Sequence, residues 1–178
     1  MNNPVDNNQA ITNKVWLHIF QEAQTTAQKE PALASYLQDT ILDHDNMGNA
    51  LSFHLSTKLA STATPVQMLR DIMDRVFADS KIISCAAKDI QATVDRDSAC
   101  DLYSSPFLYF KGFLALQAYR VAHHLWLQDE RSLARLIQYR ISLKLAVDIH
   151  PAAVIGCGLM IDHATGLVIG ETAVVEDS

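Results

Sequence analysis

The first 145 residues carry hydrophobic side chains at the three- and four-residue spacing that is typical of amphipathic helices. Each run predicts a helix that turns its apolar face toward a core. Pro31 and the pair Thr64-Pro65 stand where helices can begin. The runs that predict the first five helices are Trp16–Ala27, Leu33–Ile41, Met47–Leu59, Val66–Val76 and Lys81–Val94.

The pattern changes after this group of helices. The segment Asp95–Pro106 is polar and predicts a loop, whereas fifteen of the twenty-one residues in Phe107–Leu127 are apolar and fall on every helical face. A helix that is apolar all round is buried, either in the core or against another subunit. A last helix, over Arg131–Lys144, again separates charged from apolar positions.

The last thirty residues follow a period of six. Aliphatic or small residues open five successive hexads: Ile149, Ile155, Ile161, Leu167 and Ala173. Neither a helix nor a simple strand has this period, but a triangular parallel β-helix does, with one hexad on each side and about eighteen residues in each coil. The alternative is an irregular glycine-containing tail with chance aliphatic residues.

Composition marks the same boundary. All fourteen Lys and Arg residues precede Ile149, and four of the six glycines follow it. We therefore expect an α-helical domain over residues 1–147 and the first coils of a β-helix over residues 148–178. Because the last hexad has no partner, we also expect the chain to stop partway through its β-helix.

Charge and cysteine content exclude several classes of protein. The net charge of −6 gives no footprint for nucleic acid. The three cysteines are odd in number and far apart, so neither a disulfide framework nor a zinc ribbon is expected, and a reducing compartment is favoured. The polar residues 1–14 do not resemble a signal peptide. Charged and polar residues interrupt Phe107–Leu127, so no membrane span is expected and the protein is predicted to be cytoplasmic.

The run VDIHPAAVIGCGLMIDHATGLVIGETAVVED closely resembles the first coils of bacterial serine O-acetyltransferases. The preceding segments MGNAL, DIQA and SSPFLYFKGFLALQAYR match the helical domain of that family in order and spacing. The resemblance extends from about Val15 to Asp177. A hexad alone is shared by many acyltransferases, but DIHPAA, DHATG and GET behind this helical domain are specific.

This resemblance implies a left-handed parallel β-helix and an assembly of trimers, or of trimers paired into hexamers through the helical domains. It implies transfer of an acetyl group from the co-substrate acetyl-coenzyme A to L-serine, the first step of cysteine biosynthesis, with no permanently bound cofactor. It also implies inhibition by L-cysteine at the serine site. Many members bind O-acetylserine sulfhydrylase through a C-terminal tail that this sequence lacks.

The resemblance assigns a general base to His163 and an orienting carboxylate to Asp148. A serine hydroxyl is a weak nucleophile at neutral pH, and histidine is the side chain suited to take its proton. The two residues are fifteen apart, so a coil of about eighteen residues permits contact between neighbouring levels. Without the resemblance, Asp148 would be interpreted as a residue that caps the last helix or opens the first hexad. His163 would be interpreted as a surface or turn histidine.

Three further carboxylates are assigned in the same way. Asp97 and Asp162 match positions that hold the amino-acid substrate or cysteine, and their charge suits an ammonium group. Ser98 replaces a proline that is usual in the family, which loosens the expected geometry around Asp97. Glu171 is a candidate supporting residue near His163, or a solvated turn carboxylate.

The remaining polar residues are interpreted structurally. His123, His124 and His150 are expected to pack or to form hydrogen bonds, and Cys157 is not expected to be a catalytic thiol. Arg140 and Lys144 are expected on a solvated helix face, with contact to a partner subunit as the alternative.

Three rival functions remain at this point. The chain could acetylate another hydroxyl or amine, which a screen of acceptors would reveal. A zinc hydratase on the same fold needs three converging histidines, whereas the hexads offer only His150 and His163, so no metal is expected. A truncated, non-catalytic assembly module is the third.

Overall fold

The structure, a computed structural model, describes residues 4–178. The start of the N-terminal segment, in which we expect no signal peptide, lies outside the described residues. The described chain forms helices first and short strands afterwards. The helices are α1 (Pro4–Lys29), α2 (Ala34–Leu37), α3 (Met47–Leu59), α4 (Val66–Phe77), α5 (Ser80–Arg96), α6 (Ser104–Tyr109), α7 (Lys111–Leu127) and α8 (Arg131–Leu145). The strands are β1 (Val147–Ile149), β2 (Val154–Ile155), β3 (Leu167–Ile169) and β4 (Val174–Val175).

The predicted fold class, a mainly helical part followed by the start of a parallel β-helix, is confirmed. The run Leu33–Ile41 is not one regular helix, because a 3₁₀ turn at Pro31–Leu33 leads into α2 and a π-helical segment, Gln38–Leu42, follows it. The amide of Asp43 there donates to the carbonyl of Gln38, five residues back.

The predicted helix Phe107–Leu127 is two helices, and the first of them begins three residues early, at Ser104 inside the predicted loop. Phe110 separates α6 from α7 with an extended backbone (φ −79°, ψ 107°). Glu22 of α1 explains why α6 begins early, since its carboxylate accepts hydrogen bonds from the amides of Tyr103 and Ser104 at 3.2 and 2.8 Å.

The core lies where α7 crosses the other helices. Twelve of its seventeen residues are buried, including Phe113, Leu116 and Tyr119, so the prediction of a buried helix is confirmed. Helices α3, α4, α5 and α8 turn their apolar stripes toward the same core, which continues into Val147 and Ile149 of β1.

The strands pair in parallel, but each coil is longer than predicted. Val147 pairs with Leu167 and Val154 pairs with Val174, so both ladders repeat after twenty residues instead of eighteen. The predicted coil length of about eighteen residues is therefore wrong, and Ile149 lies beside Ile169. A two-residue insertion in the third side of the coil, between residues 155 and 167, accounts for both registers.

Helices α5 and α7 bind the first coil through its backbone carbonyls. Arg96 donates to the carbonyl of Gly158 at 2.9 Å, and His123 donates from Nδ1 to that of Pro151 at 2.7 Å. Tyr119 donates to the carbonyl of Ala153. The coil thus begins on a helical platform that satisfies its inward carbonyls.

Two expectations are corrected. Cys85 of α5 and Cys157 of the first coil form a disulfide with a Cα–Cα distance of 4.8 Å, although the cysteine pattern indicated none. Their separation of 72 residues hides the pairing in the sequence, and the fold brings them together. Arg140 is buried and binds the end of α3, whereas a solvated face was expected; Lys144 is exposed as predicted.

None of the helices in the described part of the chain combines the length and the apolarity that crossing a bilayer requires.

Candidate active site

A cavity of about 400 Å³ opens where the end of α5, the α6–α7 junction and the third side of the coil meet. It contains three of the residues that the sequence singled out. The cavity is lined by Asp97, Ala99, Tyr109, Phe110, Lys111, Gly112, Asp162 and His163.

Asp97 ends α5 and is half-buried. Its amide donates to the carbonyl of Thr93, and its Oδ1 accepts the amide of Ala99 at 2.9 Å. Because this hydrogen bond closes a short turn over residues 97–99, it holds the Asp97 carboxylate in place, although Ser98 stands where the family usually has a proline.

Asp162 and His163 lie on a loop of residues Ile161–Gly166, which we call the His163 loop. Ile161 and Ala164 of this loop pack against the core, whereas the two polar side chains are open to solvent: the imidazole of His163 is 95% exposed and the carboxylate of Asp162 is 64% exposed. The two approach each other, with Nε2 of His163 at 3.8 Å from Oδ1 of Asp162. Ala164 and Gly166 have positive φ, and these left-handed residues accommodate the extra length of the coil.

Asp148 lies elsewhere on the same coil. It is half-buried in β1, where it stands opposite Val168 and accepts a 2.7 Å hydrogen bond from Nε2 of Gln138. Within the described residues, no hydrogen bond or ion pair joins Asp148 to His163. The longer coil explains the difference from the spacing argument, because the position level with Asp148 falls five residues beyond His163. The pairing of the two residues stays a prediction.

Glu171 is also outside the cavity. Its carboxylate is 69% exposed and lies 3.9 Å from Nε2 of His150, whose Nδ1 accepts the amide of Ala152 at 3.1 Å. The ring of His150 also packs edge-on against Trp126, at 5.2 Å between centroids. His150 and Glu171 therefore form a contact of the coil surface.

Lys111 is the cavity residue that the sequence interpretation missed. Its ammonium donates a hydrogen bond to Oγ1 of Thr165 in the His163 loop. The signal was the dipeptide Lys111-Gly112 inside the family-like run SSPFLYFKGF, at the point where the polypeptide leaves α6. The cavity thus offers two carboxylates, an imidazole and an ammonium, which suits a small zwitterionic ligand.

Over residues 4–178, no group of three or more His, Cys, Asp or Glu side chains is arranged to hold a metal ion.

Comparison with known proteins gives consistent matches. The family described as "Serine acetyltransferase, N-terminal" matches residues 15–118. Serine acetyltransferase of Haemophilus influenzae is 52% identical over 168 residues, which cover 94% of this chain and 63% of the relative. The chain thus spans less than two thirds of the length of that relative.

Solved structures match over nearly all of the chain. A serine acetyltransferase in complex with CoA has a TM-score of 0.92 at 52% identity, covering 93% of this chain and 71% of that one. One in complex with cysteine has a TM-score of 0.91 at 51% identity, covering 93% and 69%. Soybean serine acetyltransferase complexed with serine has a TM-score of 0.91 at 49% identity, covering 94% and 69%.

Proposed function

Since the chain belongs to the serine acetyltransferase family, we propose that it forms the helical part and the first catalytic coil of an enzyme that acetylates L-serine. Acetyl-coenzyme A is the donor, and O-acetyl-L-serine and free coenzyme A are the products. The observation that carries the proposal is the cavity in which Asp97, Asp162 and His163 meet.

His163 is the proposed general base. Its imidazole takes the proton of the serine hydroxyl as the hydroxyl oxygen attacks the thioester carbonyl. The C–O bond forms, the C–S bond breaks, and the same proton passes to the departing thiolate. Its exposure to the cavity supports this role, because a base must reach the proton that it removes.

Asp97 and Asp162 are the proposed substrate-binding carboxylates. They border the same cavity as the imidazole, and two carboxylates suit the ammonium of serine. Cysteine has the same ammonium and nearly the same size, so inhibition by cysteine at this site follows from the same contacts. Solved relatives in complex with serine and with cysteine support the assignment.

Asp148 is the proposed orienting carboxylate. An imidazolium is stabilised by a carboxylate at its second nitrogen. This role requires the imidazole of His163 to approach the Asp148 carboxylate, whose Oδ1 accepts the hydrogen bond from Gln138. Glu171 is proposed only as a supporting residue, through its contact with His150.

The coils are proposed to associate into trimers through exposed aliphatic side chains on their outer faces. Val154, Val168 and Val174 expose 53%, 71% and 70% of their surface, and Val154 stacks on Val174 in the ladder. Exposed aliphatic residues in register suit packing against another coil.

The test is an acetyl-transfer assay on two proteins. One is this chain, and the other is an extended chain, defined as residues 1–178 followed by the C-terminal coils of the Haemophilus influenzae relative. Release of the coenzyme A thiol is followed with L-serine, L-threonine, L-homoserine and an amine acceptor. We expect the extended chain to prefer L-serine. A higher kcat/KM for another acceptor would contradict the proposal, and a folded extended chain without activity would favour an assembly module.

A further inference from the structure

The first two residues of α7 lie directly against the His163 loop. Gly112 is buried, and a β-carbon placed on it would overlap the carbonyl oxygen of Ile161 and lie 2.9 Å from that of Asp162. Lys111, one residue earlier, donates to Oγ1 of Thr165. The helix therefore contacts the loop near both of its ends.

These contacts join a rigid element to an exposed one. Helix α7 is anchored in the core, whereas Asp162 and His163 point into solvent. Two backbone hydrogen bonds hold the C-terminal end of the loop. The amide of Gly166 donates to the carbonyl of Ala146, and the amide of Leu167 donates to the carbonyl of Ala164. The first residues of the loop, which carry the chemistry, are held by the packing of Ile161 against the core and by the close approach of Gly112.

The break at Phe110 makes this approach geometrically available. A continuous helix through residue 110 would carry the chain past the cavity, but the extended backbone at Phe110 starts α7 beside the loop. Over the described residues, no ion pair links Lys111 to Asp97 or to Asp162, so its ammonium is engaged by the loop hydroxyl.

We propose that Lys111 and Gly112 are positioning residues that fix the His163 loop against the cavity. Gly112 sets the distance between α7 and the loop because any larger side chain would push the loop away. Lys111 sets the position of the Thr165 end. The consequence for catalysis rests on the proposed function, but the positioning itself does not.

The first test replaces Gly112 by alanine and follows hydrogen exchange of the two hydrogen-bonded amides of the loop end, those of Gly166 and Leu167, in this chain. We expect Gly112→Ala to accelerate exchange in the loop at least about fivefold, which corresponds to a local opening that is easier by about 1 kcal/mol. Gly170→Ala is the control, because a β-carbon there would meet nothing within 4 Å. Equal exchange in the Gly112→Ala and unmodified chains would overturn the role of Gly112.

The second test uses Lys111→Met and Lys111→Arg in the extended chain, with Lys144→Met on the exposed face of α8 as the control. We expect Lys111→Met to lower kcat about tenfold to a hundredfold, as a displaced catalytic group does. The KM for serine should stay within about twofold, and Lys111→Arg should restore part of kcat.

A raised KM with unchanged kcat and unchanged loop exchange would show that Lys111 binds the substrate carboxylate, which would overturn positioning. If the unmodified extended chain does not acetylate serine, the proposed function fails while loop exchange still decides the positioning.

A second inference rests on the disulfide between Cys85 and Cys157. It joins α5 to the first coil, and both cysteines are half-buried rather than enclosed. Cys85 lines an open cavity of about 250 Å³, so a small thiol can reach the bridge. Beside it, Arg120 donates to the carbonyl of Gly156 at 2.8 Å, so the disulfide reinforces an existing contact.

We infer that Cys85 and Cys157 form a reversible oxidation site that locks the first coil to α5. The oxidant is a low-molecular-weight disulfide such as oxidised glutathione. One cysteine thiolate attacks it, releases one thiol and forms a mixed disulfide; the other cysteine then attacks and releases the second thiol. Two protein thiols are oxidised and one glutathione disulfide is reduced to two thiols.

The test equilibrates the chain with oxidised or reduced glutathione and measures Tm. A second sample is unfolded in denaturant, its free thiols (including the buried Cys100) are alkylated, and its intact mass is measured. We expect one alkylated cysteine after oxidation and three after reduction, with a higher Tm for the oxidised chain. Cys100→Ser is the control, because Cys100 is buried and its burial raises the pKa of its thiol. Cys85→Ser should abolish the shift in Tm. Three alkylated cysteines after oxidation would overturn the inference.

Discussion

The carboxylate of Asp89 in α5 and the guanidinium of Arg120 in α7 form a 2.7 Å ion pair in which Asp89 is fully buried and Arg120 is 8% exposed. The pair also binds the first coil. Asp89 accepts the amide of Leu159 at 2.9 Å, and Arg120 donates to the carbonyl of Gly156. Burial raises the pKa of Asp89, and the guanidinium acts against that shift. This charge pair thus adds to the other hydrogen bonds by which α5 and α7 hold the first coil.

Asp89→Asn should lower the free energy of unfolding by about 3–5 kcal/mol, because it leaves the Arg120 guanidinium buried without its counter-charge. Urea unfolding followed by circular dichroism measures this loss. Asp74→Asn is the matched control: it breaks the more exposed pair with Arg70, which is worth about 1 kcal/mol or less. A loss of similar size in both variants would show that the buried pair stabilises the fold no more than the exposed pair does.

His163→Ala in the extended chain should lower kcat by about a hundredfold to ten-thousandfold, the usual contribution of a general base. The KM for acetyl-coenzyme A should change little, since the imidazole acts on the acceptor. Steady-state kinetics with L-serine measure both values. His124→Gln, which alters a histidine that lines a different cavity, is the control.

Asp148→Asn should also lower kcat, by less than His163→Ala, because the amide retains the contact with Gln138 but carries no charge to stabilise an imidazolium. A double variant that is no slower than His163→Ala alone would show that the two residues act together. Additive losses in the double variant would indicate that Asp148 acts independently of the imidazole.

The helices could be predicted because their apolar stripes are local. Leu51 and Leu55 are fully buried in α3 as their spacing indicates. The early start of α6 could not be predicted, since it depends on Glu22, which lies 82 residues before Ser104 and accepts the amide of Ser104. Tertiary contacts of this kind override local periodicity.

The candidate residues could be picked out from the sequence where they lie in a motif that resembles the family. Asp97, Asp162 and His163, which the family-like motifs singled out, border one cavity. The coil length was not predictable, because the hexads continue through the insertion and mask it. Lys111 was missed because a lysine at the start of a buried helix has no periodic signature until the fold places Thr165 beside it.

Arg140→Met should lower the free energy of unfolding by about 1–3 kcal/mol. Arg140 is buried and donates to the carbonyls of Leu59 and Ala60 at 2.7 and 2.9 Å, where α3 ends and has no amides of its own to satisfy them. Methionine keeps much of the apolar stem but removes both donors. Lys144→Met, on an exposed position of the same helix, should stay within about 0.5 kcal/mol in the same urea titration. An Arg140→Met variant as stable as that control would contradict the capping role.

Acid should destabilise the chain partly through His54. Burial lowers the pKa of His54 to about 4, with a smaller effect of Lys58 in the same direction, while the hydrogen bond to the Leu108 carbonyl opposes it. An unfolded histidine has a pKa near 6.5, so below that value the unfolded chain binds a proton that the folded chain refuses. The stability from the neutral ring is complete above about pH 6.5 and is lost as the pH falls toward 4.

His54→Gln isolates this contribution, because glutamine can still donate to the Leu108 carbonyl but does not titrate. Between pH 7 and pH 4.5, the unmodified chain should lose about 2–3 kcal/mol more than the variant in urea unfolding. All other titrating groups are present in both proteins, so the difference belongs to His54. If the unfolding free energies of the two proteins changed in parallel with pH, the pKa of His54 would not be lowered by folding. The ring would then take up its proton in the folded chain, packed against Phe107.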